Sequence, residues 1–312
     1  MKNTLTNKLI KKILVAFVMI SFVQVSYSQS KVFDERYIYS QAFLNPVLIN
    51  AGAVGFENKH QLLLNYRNTW SGFNGSPTTA TLSYDGRLID RLGFGVMVMQ
   101  DNFGAFRTSK AQMAFSYGIT SPKNNVRFGL STEFIQYGLN NSGADNPIFD
   151  PNDPAERARR GGVQFFDVSL GVYGVYDKKF TYGIALPSLI SSRITDPELG
   201  NERELGFIFN AGYKIRSESN DITLEPSIIV KKLNNVPTHV DLNGKISFLE
   251  ERFTSGVTYT VGADQRLGFL LGLKVDNVDV YYTYNVSTLA FQDYNNGSHE
   301  FTFKLRLGEI KN

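Results

Sequence analysis

An alternation of period two constrains this chain more than any other feature, because it recurs from about His60 to the C-terminal end. Ala111, Met113, Phe115, Tyr117 and Ile119 alternate with Lys110, Gln112, Ala114, Ser116 and Gly118. Leu205, Phe207, Phe209, Ala211, Tyr213 and Ile215 repeat the pattern, and Phe301, Phe303, Leu305 and Leu307 alternate with Glu300, Thr302, Lys304 and Arg306. Successive side chains of a strand point to opposite faces, so most of these runs carry one apolar face and one more polar face. Beyond the N-terminal leader no segment approaches the ~20 apolar residues of a membrane-spanning helix, and no long stretch keeps a 3.6-residue period. The expected class is all-β.

Alternation alone also fits a soluble sandwich, so the number, length and spacing of strands decide. About fourteen runs of roughly ten residues are legible, which is the length a tilted strand needs to cross a bilayer. They begin near His60, Thr78, Leu92, Lys110, Val126, Phe165, Phe180, Leu205, Ile222, Thr238, Phe253, Gln265, Val278 and His299. An even number lets an antiparallel sheet close with both chain ends on one side and no unpaired edge. Short links are expected at Asp85-Gly86, Ser121 to Asn124, Tyr176 to Lys178, Glu218 to Asn220, Glu250-Glu251 and Asp276-Asn277. Long ones are expected at Gln100 to Ser109, Asn140 to Gly162, Ser188 to Arg203 and Ser287 to Ser298, with short exceptions near Asn234 and Ala263. Arg127, Glu133, Asp167, Lys214, Glu225, Lys231, Asp241, Lys245, Lys304 and Arg306 fall on the inward phase. A lipid-facing band does not hold such charges cheaply, whereas a lumen pairs or hydrates them. The expected fold is a transmembrane antiparallel β-barrel of about 14 strands, of the outer-membrane type. An open channel and a plugged core both fit this pattern.

Residues 1–28 have the layout of a secretory signal peptide, with Lys8, Lys11 and Lys12 before an apolar run from Ile13 to Val25 and small residues Ser26 and Ser28 before Gln29. The expected division is a signal peptide over 1–28, a periplasmic N-terminal segment leading into the barrel over 29–58, and an outer-membrane barrel over 59–312. The chain has 32 basic and 29 acidic residues, and loss of the leader removes Lys2, Lys8, Lys11 and Lys12 but no acid. The remainder is near neutral, which speaks against nucleic acid as a partner. With no cysteine in the chain, disulfides, thiolate metal sites, a cysteine nucleophile and a lipidated N-terminal cysteine are excluded.

Candidate chemistry is sparse. His239 lies two residues from Asp241 on one strand face, a pairing an acid–base site could use, but no nucleophile accompanies it and a hydrogen-bond network explains it as well. Asp150, Asp153 and Glu156 lack the calcium-loop order and read instead as the capped start of a short surface helix ending in Arg157, Arg159 and Arg160. Phosphate loops and the serine-hydrolase elbow are absent. The expectation is a non-enzyme without cofactor or metal.

The stretch from Asn65 to Gly86 holds the only tryptophan, Trp70, among glycines, and joins the first two strand runs. Leu62, Leu64 and Tyr66 are expected to face lipid, Asn65 and Arg67 to face inward, and Trp70 to sit at the interface as a girdle residue above turns at Gly72 and Gly75. A sharper reading packs Arg67 under Phe73 to fix a partner-facing rim.

Three segments, YSQAFLNPVLINAGAVG (Tyr39 to Gly55), YRNTWSGFNGSPTTATLSYDG (Tyr66 to Gly86) and LGFGVMVMQDNFG (Leu92 to Gly104), resemble the opening of the PorP/SprF-like membrane proteins of the type IX secretion system of Bacteroidetes and related bacteria. The matching residues are Asn45, Pro46 and Asn50 before the barrel, then Tyr66, Arg67, Asn68, Trp70, Gly72, Phe73, Gly75 and Pro77 in the first loop, and Asp101 and Gly104 in the second. Ala51-Gly52-Ala53 departs from the family, which usually shows a proline there. The resemblance implies an outer-membrane barrel that serves a cognate secreted substrate, often a gliding adhesin, and performs no reaction. Partners would be that substrate or surface adhesin, other type IX components and outer-membrane lipid. A passive porin for small solutes is the alternative from another class.

Overall fold

The computed structural model describes residues 37–72, 74–139, 162–190, 192–194, 205–217, 221–233, 237–262 and 265–308. The first strands are β1 (Gln61–Asn68), β2 (Thr78–Ile89), β3 (Leu92–Phe103), β4 (Phe106–Thr120), β5 (Asn124–Leu139), β6 (Val163–Tyr176), β7 (Phe180–Leu186) and the two-residue β8 (Ser192–Arg193). There follow β9 (Phe207–Tyr213), β10 (Ile215–Ser217), β11 (Ile222–Lys232), β12 (His239–Phe248), β13 (Phe253–Val261), β14 (Arg266–Val275), β15 (Val278–Ser287) and β16 (Ser298–Arg306). Every neighbouring pair is antiparallel. The sheet closes where β1 pairs with β16 and, on the far side, where β11 pairs with β9. Because β9 and β10 are two lengths of one stave and β8 only flanks β6, the wall is a closed barrel of fourteen staves. The runs marked in the sequence correspond to these staves.

Closure sorts the side chains. Leu64, Leu82, Val98, Met113, Phe128, Phe269, Leu271 and Phe303 stand exposed on the outer face, a belt that only lipid can cover favourably. Asn65, Thr81, Arg127, Glu133, Asp167, Asp241, Thr260 and Glu300 are buried inside. The mixed-sign interior is paired: Lys231 meets Asp241 at 2.8 Å, Lys245 meets Glu225 at 3.0 Å, Lys110 meets Glu133 at 3.7 Å, and Arg306 grips Asp279. Both ends of the wall lie together, where His60 N–H donates to the Gly308 carbonyl and Leu307 N–H to the His60 carbonyl. That end also carries the brief turns after β2, β4, β6, β12 and β14 and is called the turn end; the opposite end is the loop end.

Three expectations are corrected. Asp85-Gly86, an aspartate–glycine pair of the kind that marks tight turns, lies within β2, and the turn comes at Asp90-Arg91. The Asp85 carboxylate points inward and accepts from Gly55 N–H at 2.9 Å, while a side chain at position 86 would collide with the His60 ring. The second loop-end link is tight, since Phe103 pairs with Phe106 across Gly104-Ala105 and Gly104 takes φ 57°. Asp101, expected in a long loop, is in β3 and faces the lumen. Finally, the described part of the segment expected in the periplasm, residues 37–56, lies inside the barrel. The links at 140–161, 195–204 and 218–220, with the capped Asp153 helix, fall outside the described residues.

Candidate functional site in the plugged lumen

The chain is first described at Tyr37, near the loop end, and descends through the lumen to Phe56 before entering β1 at the turn end. Residues 37–56 lack strand alternation. They fold as a turn over 40–44 and two single-turn 3₁₀ helices, Pro46–Leu48 and Ala51–Ala53. Pro46 starts the first of these, where its missing N–H costs nothing, and the Asn50 side chain caps the second by accepting from Gly52 N–H at 2.8 Å. This short plug buries Tyr37, Tyr39, Ala42, Leu48 and Ile49 against inward apolar positions of the wall, Leu63, Met97, Ala185, Ile208 and Ile229. The lumen therefore holds a small apolar core within its polar lining.

The loop-end half of the plug is tethered by side chains. Glu300 accepts from the backbone N–H of Ser40 at 2.8 Å and of Gln41 at 3.3 Å, and from Asn65 Nδ2 at 2.9 Å. Gln41 Nε2 donates to Thr283 Oγ1 and to the Glu300 carbonyl, each at 3.0 Å. The Tyr37 hydroxyl donates to Glu133 Oε1 at 2.9 Å, and the Lys110 ammonium lies 4.7 Å from the centre of the Tyr37 ring. Lys231 reaches the Tyr39 carbonyl at 3.5 Å, and Arg67 donates to the carbonyl of Ile38. Buried carboxylates and cations of five different strands thus end on one short peptide.

The turn-end half adds close contact between backbones to its side-chain bonds. Ala51-Gly52-Ala53 lies on Gly129 of β5 and Gly171 of β6, where any side chain would overlap the plug itself. A methyl at Gly52 would in turn come within 2.8 Å of Tyr173 N, and one at Gly93 of β3 within 2.6 Å of the Val54 carbonyl oxygen. Asn50 Nδ2 donates to the Val172 carbonyl at 2.9 Å, and Ser116 Oγ to the Val54 carbonyl at 2.6 Å. Inward glycines on β3, β5 and β6 form a trough shaped to this turn.

Most of the motif residues converge on the plug and the loop-end rim. Asn45 is buried in the plug beside Pro46 and Asn50. Arg67 also reaches Thr79 Oγ1 at 3.4 Å, and that hydroxyl donates to Asp101 Oδ1 at 2.6 Å, so Arg67 and Asp101 join in one network under the Ile38 carbonyl. Ser76 Oγ donates to Asn68 Oδ1 at 3.3 Å, Thr69 N–H to the Pro77 carbonyl at 2.8 Å, and Gly104 N–H to the Gly75 carbonyl at 3.0 Å. Gly72 and Gly75 take φ 105° and 80°, the left-handed region that glycine tolerates. Trp70, at φ 52°, donates its backbone N–H to Ser298 Oγ at 3.0 Å and sets its ring edge-on to Phe103 at 6.2 Å. Tyr66 faces outward. Phe73 lies outside the described residues, and Arg67 turns inward to the plug.

His239 and Asp241 share the inner face of β12, but the Asp241 carboxylate is held by Lys231 and by Thr260 Oγ1 at 2.7 Å. No group of residues suited to hold a metal ion occurs among the described residues. The plug partners Glu300, Thr283, Thr81 and Gly171 escaped the motif reading. One signal for them was present in the sequence: Gly93, Gly95, Gly129, Gly171 and Gly183 all fall on the inward phase of strands, leaving space that something else must fill.

Among solved structures, the chain is similar to the CymD monoaromatic hydrocarbon channel at 13% identity and a TM-score of 0.51, over 88% of this chain and 94% of that one. It is similar to the Ralstonia pickettii toluene transporter TbuX at 8% identity and a TM-score of 0.51, over 87% and 95%. These likenesses establish the barrel fold. No similar sequence is found among curated proteins. With the barrel closed, its lumen plugged and the matching motifs gathered around the plug, the match of the type IX secretion system membrane protein PorP/SprF family to residues 32–305 means that this chain belongs to that family.

Proposed function

We propose that the barrel acts without catalysis in type IX secretion, helping a large cognate substrate such as a gliding adhesin to reach the cell surface or stay attached to it. The fold and the family support an outer-membrane location, and both family and structural neighbours are secretion or channel barrels rather than enzymes. The observation that carries the reading is the plug. Residues 37–56 occupy the lumen and are anchored to β5, β6 and β16 among other strands, so what the barrel offers a partner is a shaped rim rather than a passage. The described part of the first loop, tied to β16 through Trp70 and to the β3–β4 hairpin through Gly75, is the candidate rim.

Deleting the gene and staining intact cells for the neighbouring large adhesin tests this. Loss of surface adhesin is expected, and normal display would sink the proposal. The passive-porin reading makes the opposite physical demand, a steady open conductance from purified wild-type protein in a planar bilayer.

A further inference from the structure

Between the plug and the wall, towards the turn end, lies a cavity of about 230 Å³. Its apolar side is formed by the plug, through Ala42, Phe43, Pro46 and Ile49. The wall side mixes apolar Val175, Ala211 and Ile228 with polar groups: the Ser227 hydroxyl is buried and meets no hydrogen-bond partner among the described residues, and Asn210 lines the same space. Charge is concentrated at the rim. Lys178, Lys179, Lys214 and Lys245 line the cavity against one acid, Glu225, which Lys245 already engages at 3.0 Å. Lys214 is spent on Glu251, whereas Lys178 and Lys179 are exposed on the β6–β7 turn.

A second observation falls on the same residues. The ladder between the β9–β10 stave and β11 runs as far as Gly212 opposite Ser227 and resumes at Ile215 opposite Leu224. Tyr213 and Lys214 thus face Glu225 and Pro226 without ladder pairing, since proline has no N–H to give. All four line the cavity. On their other side Tyr213 pairs with Phe180 and Lys214 N–H donates to the Lys179 carbonyl at 2.8 Å, so the ladder is interrupted only towards β11, beside the cationic rim.

We propose that this cavity is a binding site for a small anionic amphiphile, a medium-length acyl chain ending in a carboxylate. The chain lies along Phe43, Pro46 and Ile49. The carboxylate accepts from the Ser227 hydroxyl and is neutralised by the Lys178 and Lys179 rim. The volume falls just below the roughly 300–1,000 Å³ of ordinary ligand pockets, which limits the occupant to a chain of medium length and excludes a long one. The site stands or falls independently of any role in secretion, because its test needs no partner protein.

The test uses the full mature chain in nanodiscs of zwitterionic lipid, titrated with octanoate in a calorimeter, with empty nanodiscs as the blank. Saturable binding of one octanoate per barrel is expected, weakened at least tenfold by Ser227→Leu, which fills the cavity, and by Lys178→Glu with Lys179→Glu. The second variant changes only exposed turn residues, so it remains informative if the first misfolds. Octanol should bind at least tenfold more weakly than octanoate, and inorganic phosphate should not bind. Uptake equal to that of empty nanodiscs, indifference to the Lys178/Lys179 variant, or equal binding of octanol would overturn the site; saturable phosphate binding at the same lysines would make it a simple anion site and overturn the amphiphile.

Discussion

The two halves of the plug are both tethered by wall side chains, but only one of them is also packed backbone to backbone. Near the loop end the peptide hangs from side chains, with Glu300, Glu133, Arg67 and Lys231 converging on its backbone and on Tyr37. Near the turn end side chains also reach it, Asp85 at Gly55 N–H, Ser116 at the Val54 carbonyl and Arg87 at the Gly55 and Phe56 carbonyls, but what is particular there is a backbone trough where Gly129 and Gly171 leave no room for a methyl group. The difference separates strength from shape. Hydrogen bonds can be lost one at a time, each at a modest cost, whereas a close-packed backbone contact is kept or lost as a whole. The trough should therefore decide whether the plug is seated, and the tethers how firmly.

Gly129→Val is the substitution that should break this comparison most violently. Its side chain would occupy the volume of the Ala51–Gly52 peptide, and neither backbone can move aside without disturbing the barrel ladder or the 3₁₀ turn. The cost should exceed the ~1–3 kcal/mol of ordinary overpacking, enough to unseat the turn-end half while the wall still closes. Planar-bilayer recording should show conductance steps that wild-type protein lacks, with heat-dependent gel mobility confirming a folded barrel. A folded but silent variant would show that the tethers alone keep the plug in place.

That prediction also marks how far the sequence could be read. The staves are legible, almost to their starting residues, because a wall between lipid and a polar lumen imposes period two on the strands; Lys110 to Ile119 and Ser298 to Leu305 follow it. Residues 37–56 obey no such rule. Their burial comes from the surrounding wall rather than from a face of their own, so Tyr39, Gln41 and Leu48 read as an unpatterned lead-in although they are among the most buried side chains described. Asp85-Gly86 misled for a related reason: a strong local turn signal was overruled by Asp85 reaching the plug. Arg67 was correctly given an inward direction, but its target, the Ile38 carbonyl, had no signature.

Glu300→Ala should produce the next largest effect. It strands the N–H groups of Ser40 and Gln41 in a fully buried site, at about 1–3 kcal/mol for each donor left unpaired, while the Asn65 amide keeps its bond to Thr302 Oγ1 at 2.9 Å. The expected outcome is a lower thermal midpoint for the barrel with the conductance still silent, because the trough is intact. Glu300→Gln, which keeps one acceptor oxygen, should recover part of the loss. If Glu300→Ala alone opened a steady pore, the tethers rather than the trough would seat the plug, and the division between the halves would have to be reversed.

The smallest effect sharpens the comparison by showing what a tether is worth outside the lumen. Glu251 lies in the turn Leu249 to Arg252, between β12 and β13 and beyond the strands, and engages Lys214, with Lys274 at 3.9 Å and Thr223 Oγ1 at 3.4 Å. Partial burial works to raise its pKa, but Lys214 and Lys274 outweigh that and hold the carboxyl below its ordinary value. A carboxyl depressed in the folded state adds stability above its unfolded pKa of about 4.3, and this stability is lost as pH falls through the lower folded value. Because the group is half-exposed, the gain at neutral pH should be no more than about 1 kcal/mol and should shrink in high salt. Thermal midpoints of wild type and Glu251→Gln should accordingly differ slightly at pH 7 and converge in acid, below both pKa values. A gap that persisted unchanged into acid would mean that Glu251 acts through packing and its hydrogen bond with Thr223 rather than through charge, leaving the buried carboxylates inside the barrel as the ones whose ionic partners matter.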